Sequence, residues 1–206
     1  MMLVLDYGMG NIGSVGNALQ RIGIPFVFSA DPAAIAEADH LILAGVGAFD
    51  HGMTQLQSRG LIPLLEQKVR AQGTPLLGLC LGAQLLTRGS EEGTLPGLGW
   101  IPADTIRFAP DVCVEGKIRK IPHMGWNTLK HTQAHPLLEG ISQDDPFYFM
   151  HSYHLSSVPA ELVLATTEYG EAFPSVVASN TIAGIQCHPE KSREAGLRFL
   201  RNFAAW

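Results

Sequence analysis

The chain has 206 residues, of which 46 % are hydrophobic and only 16 % charged, with a formal net charge of −5. That length gives about one domain with a core that needs no disulfide staples, and we expect a single unit over 1–206. The charged share lies below the ~25 % of an average chain, and 22 glycines in 206 residues is about 11 % against a usual ~7 %, which argues against disorder. The acidic balance leaves no basic footprint for nucleic acid or for a membrane surface, so the expected partners are protein and small molecule. Three cysteines, at 80, 113 and 187, make an odd number without C-x-x-C spacing, which implies neither a disulfide framework nor zinc, and fits a reducing cytoplasm. Met1-Met2-Leu3-Val4-Leu5 reaches Asp6 too early for a secretory signal, and no apolar run nears the ~18 residues of a membrane span.

The first 90 residues alternate strand-like and helix-like runs. Met2–Leu5 reads as a strand, followed by a helix over Ile12–Ile22 with apolar residues at 12, 15, 18, 19 and 22. Asn11 is the expected cap of that helix and Gly23 its end. Pro25–Phe28 and His40–Leu43 read as strands, with a short helix opened by Asp31 and Pro32 between them. Gly60–Gln72 predicts an amphipathic helix, 75–79 a buried strand, and 81–88 a short helix entered through Cys80. Beyond residue 95 the pattern turns to β, with segments near 104–108, 117–121, 147–151, 161–167, 175–179 and 181–187. A last helix, opened by Ser192, runs from Glu194 to about Ala204. These elements predict an α/β fold: a doubly wound, mostly parallel sheet with an added antiparallel β-rich portion in the C-terminal half, binding ligands at the carboxyl ends of its parallel strands.

The strongest local signal is GLCLGAQLL at 78–86, where a buried strand ends at Cys80 and turns into a helix, with Gly78 and Gly82 two residues to either side. This is the form of a nucleophile elbow: small flanking residues allow a tight turn that lifts the side chain clear of the sheet. The helix start behind the sulfur favours thiolate, and the Leu81 amide points where an oxyanion would form. A thiol nucleophile needs a base, and IQCHPE at 185–190 supplies His188, with Glu190 able to fold back onto its Nδ1. A third element, LAGVGAF at 43–49, is a glycine-rich loop after a strand that could bring a second backbone amide to the reacting carbonyl.

Other readings compete. Gly8, Gly10 and Gly13 satisfy a dinucleotide-binding fingerprint on paper, although Asp6 would set a carboxylate beside the pyrophosphate. His131 with His135, and His151 with His154, have ligand-like spacings, but no thiol or carboxylate completes a set, so no metal is expected. Cys113 reads as a strand residue, and Cys187 should point to the side of its strand opposite His188.

With Cys80 in its elbow and HPE near the C-terminus, the chain resembles the class I (triad) glutamine amidotransferases. DYGMGN at 6–11, GVGAF at 45–49, GSEEG at 89–93, PHMGWN at 122–127, YFMHSY at 148–153, ATTEYG at 165–170 and HPEKS at 188–192 make it similar, over essentially its whole length, to the glutaminase subunits of imidazole glycerol phosphate synthases. The resemblance implies Cys80 as nucleophile, His188 as proton shuttle and Glu190 as its orienting group. It implies an oxyanion hole from Leu81 and Gly45-Val46-Gly47, and glutamine contacts at Gln84, Glu92, Ser152 and Tyr153. It further implies a (β/α)8 cyclase partner that receives the ammonia, met through Met9, Gly10, Asn11, Met124, Trp126, Tyr148 and Lys191, and it implies no cofactor. By sequence alone Trp126 could equally be a core residue. One alternative is a related amidotransferase feeding another synthase, a second is a nucleotide-binding oxidoreductase built on Gly8, Gly10 and Gly13, and a third is a partner protein with a catalytically dead site. The chain departs from the family pattern at Ala44, where proline is usual, and at Cys187, where an aromatic residue is usual; the latter predicts a smaller side chain behind His188.

Overall fold

The computed structural model of the chain describes residues 1–110, 113–114 and 117–206, without the side chains of 113, 114 and 117. The first half contains β1 (Met2–Leu5), α1 (Ile12–Arg21), β2 (Phe26–Ser29), α2 (Pro32–Glu37), β3 (His40–Gly45), α3 (Phe49–Ser58), α4 (Leu61–Leu65), β4 (Leu76–Cys80) and α5 (Leu81–Leu85). The second contains β5 (Asp104–Arg107), β6 (Cys113–Val114), β7 (Lys117–Ile118), β8 (His123–Thr128), β9 (Lys130–His131), β10 (Pro146–His151), β11 (Tyr153–Ser156), β12 (Val163–Glu168), β13 (Ala172–Ser179), β14 (Ile182–Ile185) and α6 (Arg193–Ala205). The main sheet has the order β2-β1-β3-β4-β14-β13-β12-β9. Its first five strands are parallel, and β13, β12 and β9 continue it antiparallel. The expected α/β fold is therefore present, with the antiparallel portion contributed by the C-terminal half.

Both faces of the parallel strands are covered, which explains their unbroken apolar runs. Along β1, Met2 and Val4 enter one apolar cluster with Val15, Leu19, Leu197, Leu200 and Phe203 of α1 and α6. Leu3 and Leu5, pointing the other way, enter a second cluster with Phe49, Leu56, Leu65 and Leu85 from α3 to α5. Among the described residues no helix is long and apolar enough to cross a membrane.

Local signals were realised unevenly. Asp31 caps α2 by accepting from the Ala33 and Ala34 amides, and α1 ends with Gly23 in the left-handed region while Ile24 N–H donates to Leu19. Asn11 does not cap α1 as expected: it is itself left-handed, at φ 72°, and its side chain accepts from Ser14 Oγ at 2.7 Å. Ser192 precedes α6 but gives no side-chain cap, because its hydroxyl is used elsewhere. The helix after Gly60 begins as α4 and loosens into a π-helical stretch over Glu66–Ala71, and the helix after Cys80 is only five residues long. α3 was not anticipated, although Phe49, Gly52, Met53 and Leu56 carry its buried stripe at helical spacing. Cys113 has strand backbone, as expected, while 111–112 and 115–116 of the same segment lie outside the described residues.

Candidate active site

Three neighbouring parallel strands, β3, β4 and β14, end together, with Gly45 paired to Cys80 and Ile185 paired to Leu79. Their carboxyl ends therefore deliver the Gly45-Val46-Gly47 loop, Cys80, and the segment Gln186-Cys187-His188 to one rim of the sheet, the usual place for a site in an open α/β sheet. Cys80 has φ 51° and ψ −106°, a conformation that side chains rarely adopt and that costs about 1–3 kcal/mol. The flanking glycines make the turn possible. A Cβ at Gly82 would lie 1.7 Å from the Leu43 carbonyl oxygen, and one at Gly78 would lie 2.7 Å from the Ala83 nitrogen. Leu81 is the first residue of α5, so its amide has no intrahelical acceptor.

His188 and Glu190 sit on the turn after β14. The His188 Nδ1–H donates to Glu190 Oε1 at 2.8 Å, with both side chains 3 % exposed. This orients the ring and turns Nε2, buried and with no hydrogen-bond partner among the described residues, to the side of the Cys80 sulfur. Burial opposes the imidazolium, but the Cys80 sulfur and the Glu190 carboxylate outweigh it and hold the His188 pKa up at about 10. The turn has its own brace: His188 N–H donates to the Tyr148 carbonyl at 2.8 Å, Ser192 Oγ–H donates to the His188 carbonyl at 2.5 Å, and Tyr148 N–H donates back to Ser192 Oγ at 2.9 Å.

Cys80 opens onto a cleft of about 260 Å3, whose lining includes Val46, Gly47, Leu81, Gln84, Glu92, Ser152 and Tyr153. The size suits an amino acid better than a dinucleotide. Glu92 is placed by a reciprocal clasp with α3. Its Oε2 accepts from Phe49 N–H at 2.8 Å, while Asp50 accepts from the Thr94 and Leu95 amides, both at 3.0 Å, hydrogen bonds that lower the Asp50 pKa. Gln84 spends its amide nitrogen on the Tyr153 carbonyl (3.0 Å) and Gln186 Oε1 (3.2 Å). Of the remaining sites proposed from sequence, Gly10 and Asn11 line a small pocket with Gly45, Val46, His188 and Glu190. Gly10 and Asn11 are exposed, as are Met124 and Trp126 at 59 % and 47 %, so Trp126 is not a core residue. Tyr148 faces Trp126 across β8 and β10, with Lys191 over its ring, and Arg193 lies over the indole. Met9, expected at that surface, is instead buried beside Gly45 and Gly47. Gly8, from the dinucleotide-like motif, is crowded by Arg59 and Gln55.

Several residues around the nucleophile escaped the sequence reading. Gln186 donates to Cys80 Sγ at 3.7 Å, and the fully buried Tyr7 hydroxyl has no partner among the described residues. Burial and the nearby Cys80 raise the Tyr7 pKa, keeping it a neutral phenol. Cys187 lies wholly within the apolar cluster, where burial drives its thiol pKa well up, which makes it a poor nucleophile. Among the described residues no three His, Cys, Asp or Glu side chains gather as a metal site.

A strained thiol on a strand-to-helix elbow, faced by a buried histidine and carboxylate, is the arrangement that cysteine-based acyl transfer requires. The model of the family described as "Glutamine amidotransferase class-I" matches residues 3–205, and the chain belongs to that family. It is 46 % identical over 203 residues to "Imidazole glycerol phosphate synthase subunit HisH 2" of Methanococcus maripaludis, and 43 % identical over 203 residues to the protein of the same name in Pseudomonas aeruginosa, in each case with 98 % of both chains covered. A solved structure, a glutamine amidotransferase of Thermotoga maritima, shares the fold at TM-score 0.65 with 15 % identity, over 99 % of this chain and 82 % of that one.

Proposed function

We propose that this chain, acting as one unit over 1–206, is the glutaminase subunit of an imidazole glycerol phosphate synthase. The observation that carries the reading is Cys80 held at φ 51° beside a His188–Glu190 pair and a cleft of amino-acid size. Cys80, as thiolate with its proton on His188, attacks the side-chain carboxamide of L-glutamine, and the developing oxyanion meets the amides of Leu81 and of the Gly45-Val46-Gly47 loop. As the C–N bond breaks, the imidazolium of His188 gives its proton to the leaving nitrogen, releasing ammonia and a glutamyl thioester. Water, deprotonated by His188, then breaks the C–S bond and yields glutamate. Glu190 keeps the imidazole oriented, and Glu92, with one oxygen left after its bond to Phe49, takes the substrate's α-ammonium, alongside Gln84, Ser152 and Tyr153.

The ammonia goes to a cyclase subunit built as a (β/α)8 barrel, which docks on the surface of Met124, Trp126, Tyr148 and Lys191 with Gly10 and Asn11 nearby. Those aromatic rings framed by cations are the composition of an interface centre. The protein works in the cytoplasm. Glutamate release measured for the chain alone, with the cyclase subunit, and with the cyclase plus its nucleotide ligand tests the reading. Release near background alone and rising sharply in the complex is expected; equal release in all three overturns the coupling, and none in any overturns the glutaminase.

A further inference from the structure

Resting on the glutaminase reading, we propose that His123 and His151, outside the catalytic triad, are positioning residues: a directed hydrogen-bond chain through both imidazoles fixes the Tyr153 wall of the glutamine cleft. The two face each other across β8 and β10, at 3 % and 6 % exposure, with His123 Nδ1 3.1 Å from His151 Nε2.

The direction of every bond follows from the ends. At one end Asn127 Oδ1 accepts from Thr128 N–H at 2.8 Å and its Nδ2 donates to the Glu168 carbonyl at 2.8 Å, so its amide cannot be reversed. The other Nδ2 hydrogen is left for His123 Nε2 at 3.3 Å, which must therefore be a lone pair. At the far end His151 Nδ1 lies 2.8 Å from the Tyr153 carbonyl, which only accepts, so the proton is on Nδ1. His151 Nε2 is then the acceptor for His123 Nδ1–H. Both rings are neutral Nδ1–H tautomers. Burial lowers both pKa values, and Arg119 acts with it on His123 while His123, His154 and His188 act on His151; the Tyr153 carbonyl, which favours the cation, does not outweigh them.

The chain does not stop at the carbonyl. Tyr153 O also receives Gln84 Nε2, which reaches Gln186 Oε1, and Gln186 Nε2 reaches the sulfur of Cys80. His151 itself lines the cleft. The triad has separate supports in the elbow and in the Ser192–Tyr148 brace. Loss of the histidine chain therefore acts on where glutamine sits more than on the chemical step. His123 is also stacked between Phe149 (centroids 4.7 Å) and Tyr169 (3.9 Å), so its ring and its proton have to be tested apart.

His123→Phe keeps the stacked ring and removes the donor; His123→Asn removes the ring and returns an N–H near the place of Nδ1. In steady-state glutamine hydrolysis by the complete synthase complex, His123→Phe should raise KM about tenfold with kcat within about threefold, a loss near 1.4 kcal/mol, and His123→Asn should recover most of it. Wild-type KM in His123→Phe, or an equal rise in both variants, overturns the positioning role. Independently of activity and of variant folding, 15N NMR of the wild-type imidazoles should show both rings protonated at Nδ1 only at pH 7; an Nε2–H form or a cation at either residue overturns the chain. If the wild-type complex hydrolyses no glutamine, the glutaminase reading fails and the spectrum still judges the chain.

Discussion

Gly82→Ala places one methyl group against backbone that has nowhere to go. Its Cβ would stand 1.7 Å from the Leu43 carbonyl oxygen and 2.8 Å from the Leu43 carbonyl carbon, whereas real Cβ atoms essentially never come within 3.0 Å. Clearing the oxygen alone takes about 1.3 Å of movement. Leu43 is in the middle of β3, paired to Gly78 of β4, so the strand cannot yield locally. The strain falls on the elbow. Overpacking of this kind costs about 1–3 kcal/mol or more, and displacing a reacting group by ~1 Å costs on the order of 100-fold in rate. Gly13→Ala is the matched control: the same added methyl in α1 meets nothing within 4 Å and should leave stability equal or raise it by up to ~1 kcal/mol. Urea unfolding, together with the rate of Cys80 alkylation by iodoacetamide in the native chain, reads both effects. Wild-type stability and thiol reactivity in Gly82→Ala would refute the account of the elbow.

Cys80→Ser should abolish glutamine hydrolysis. Cys187→Ser should keep it and cost about 1–3 kcal/mol for a hydroxyl buried among apolar groups; the opposite outcome removes Cys80 from its role. Glu190→Gln should slow hydrolysis about 100- to 10,000-fold. Because the His188 pKa stands at about 10 folded against ~6.5 unfolded, its stabilisation is complete below pH ~6.5 and fades as pH climbs through about 10; a Glu190→Gln chain with the wild-type slope of unfolding free energy over that range contradicts the pair. Trp126→Ala should change stability by less than about 0.5 kcal/mol yet weaken cyclase binding by about 2 kcal/mol, roughly 30-fold, by calorimetry; unchanged affinity moves the docking surface elsewhere.

The parallel half of the fold was legible because covered strands announce themselves as apolar runs and their helices as periodic stripes. α3 was overlooked because Phe49 closes a glycine-rich loop motif, and the loop reading consumed the residue that opens the helix. Cys80, His188 and Glu190 could be read because the elbow imposes small residues at fixed offsets and the pair lies two residues apart. Gln186, Tyr7 and the His123–His151 pair could not be, since their roles depend on a register between strands distant in sequence. Asn11 and Ser192 had the right side chains for caps, but Asn11 takes a left-handed backbone with its side chain engaged by Ser14, and the Ser192 hydroxyl is taken by Tyr148 and His188. Met9 looked like a surface residue beside Gly10 and Asn11, yet those two are exposed while the Met9 side chain is buried with its terminal methyl beside Gly47.

β14 enters the sheet between β4 and β13, and it is the last strand of the chain. Cys80 therefore ends, and His188 follows, two neighbouring strands that are far apart in sequence. A chain folded only through β13 can hold Cys80 at the edge of β4, but has no His188, no Glu190 and no Gln186 beside it. Cys80 therefore gains His188, Glu190 and Gln186 as neighbours only once β14 is seated between β4 and β13, so its thiol chemistry should report on that seating.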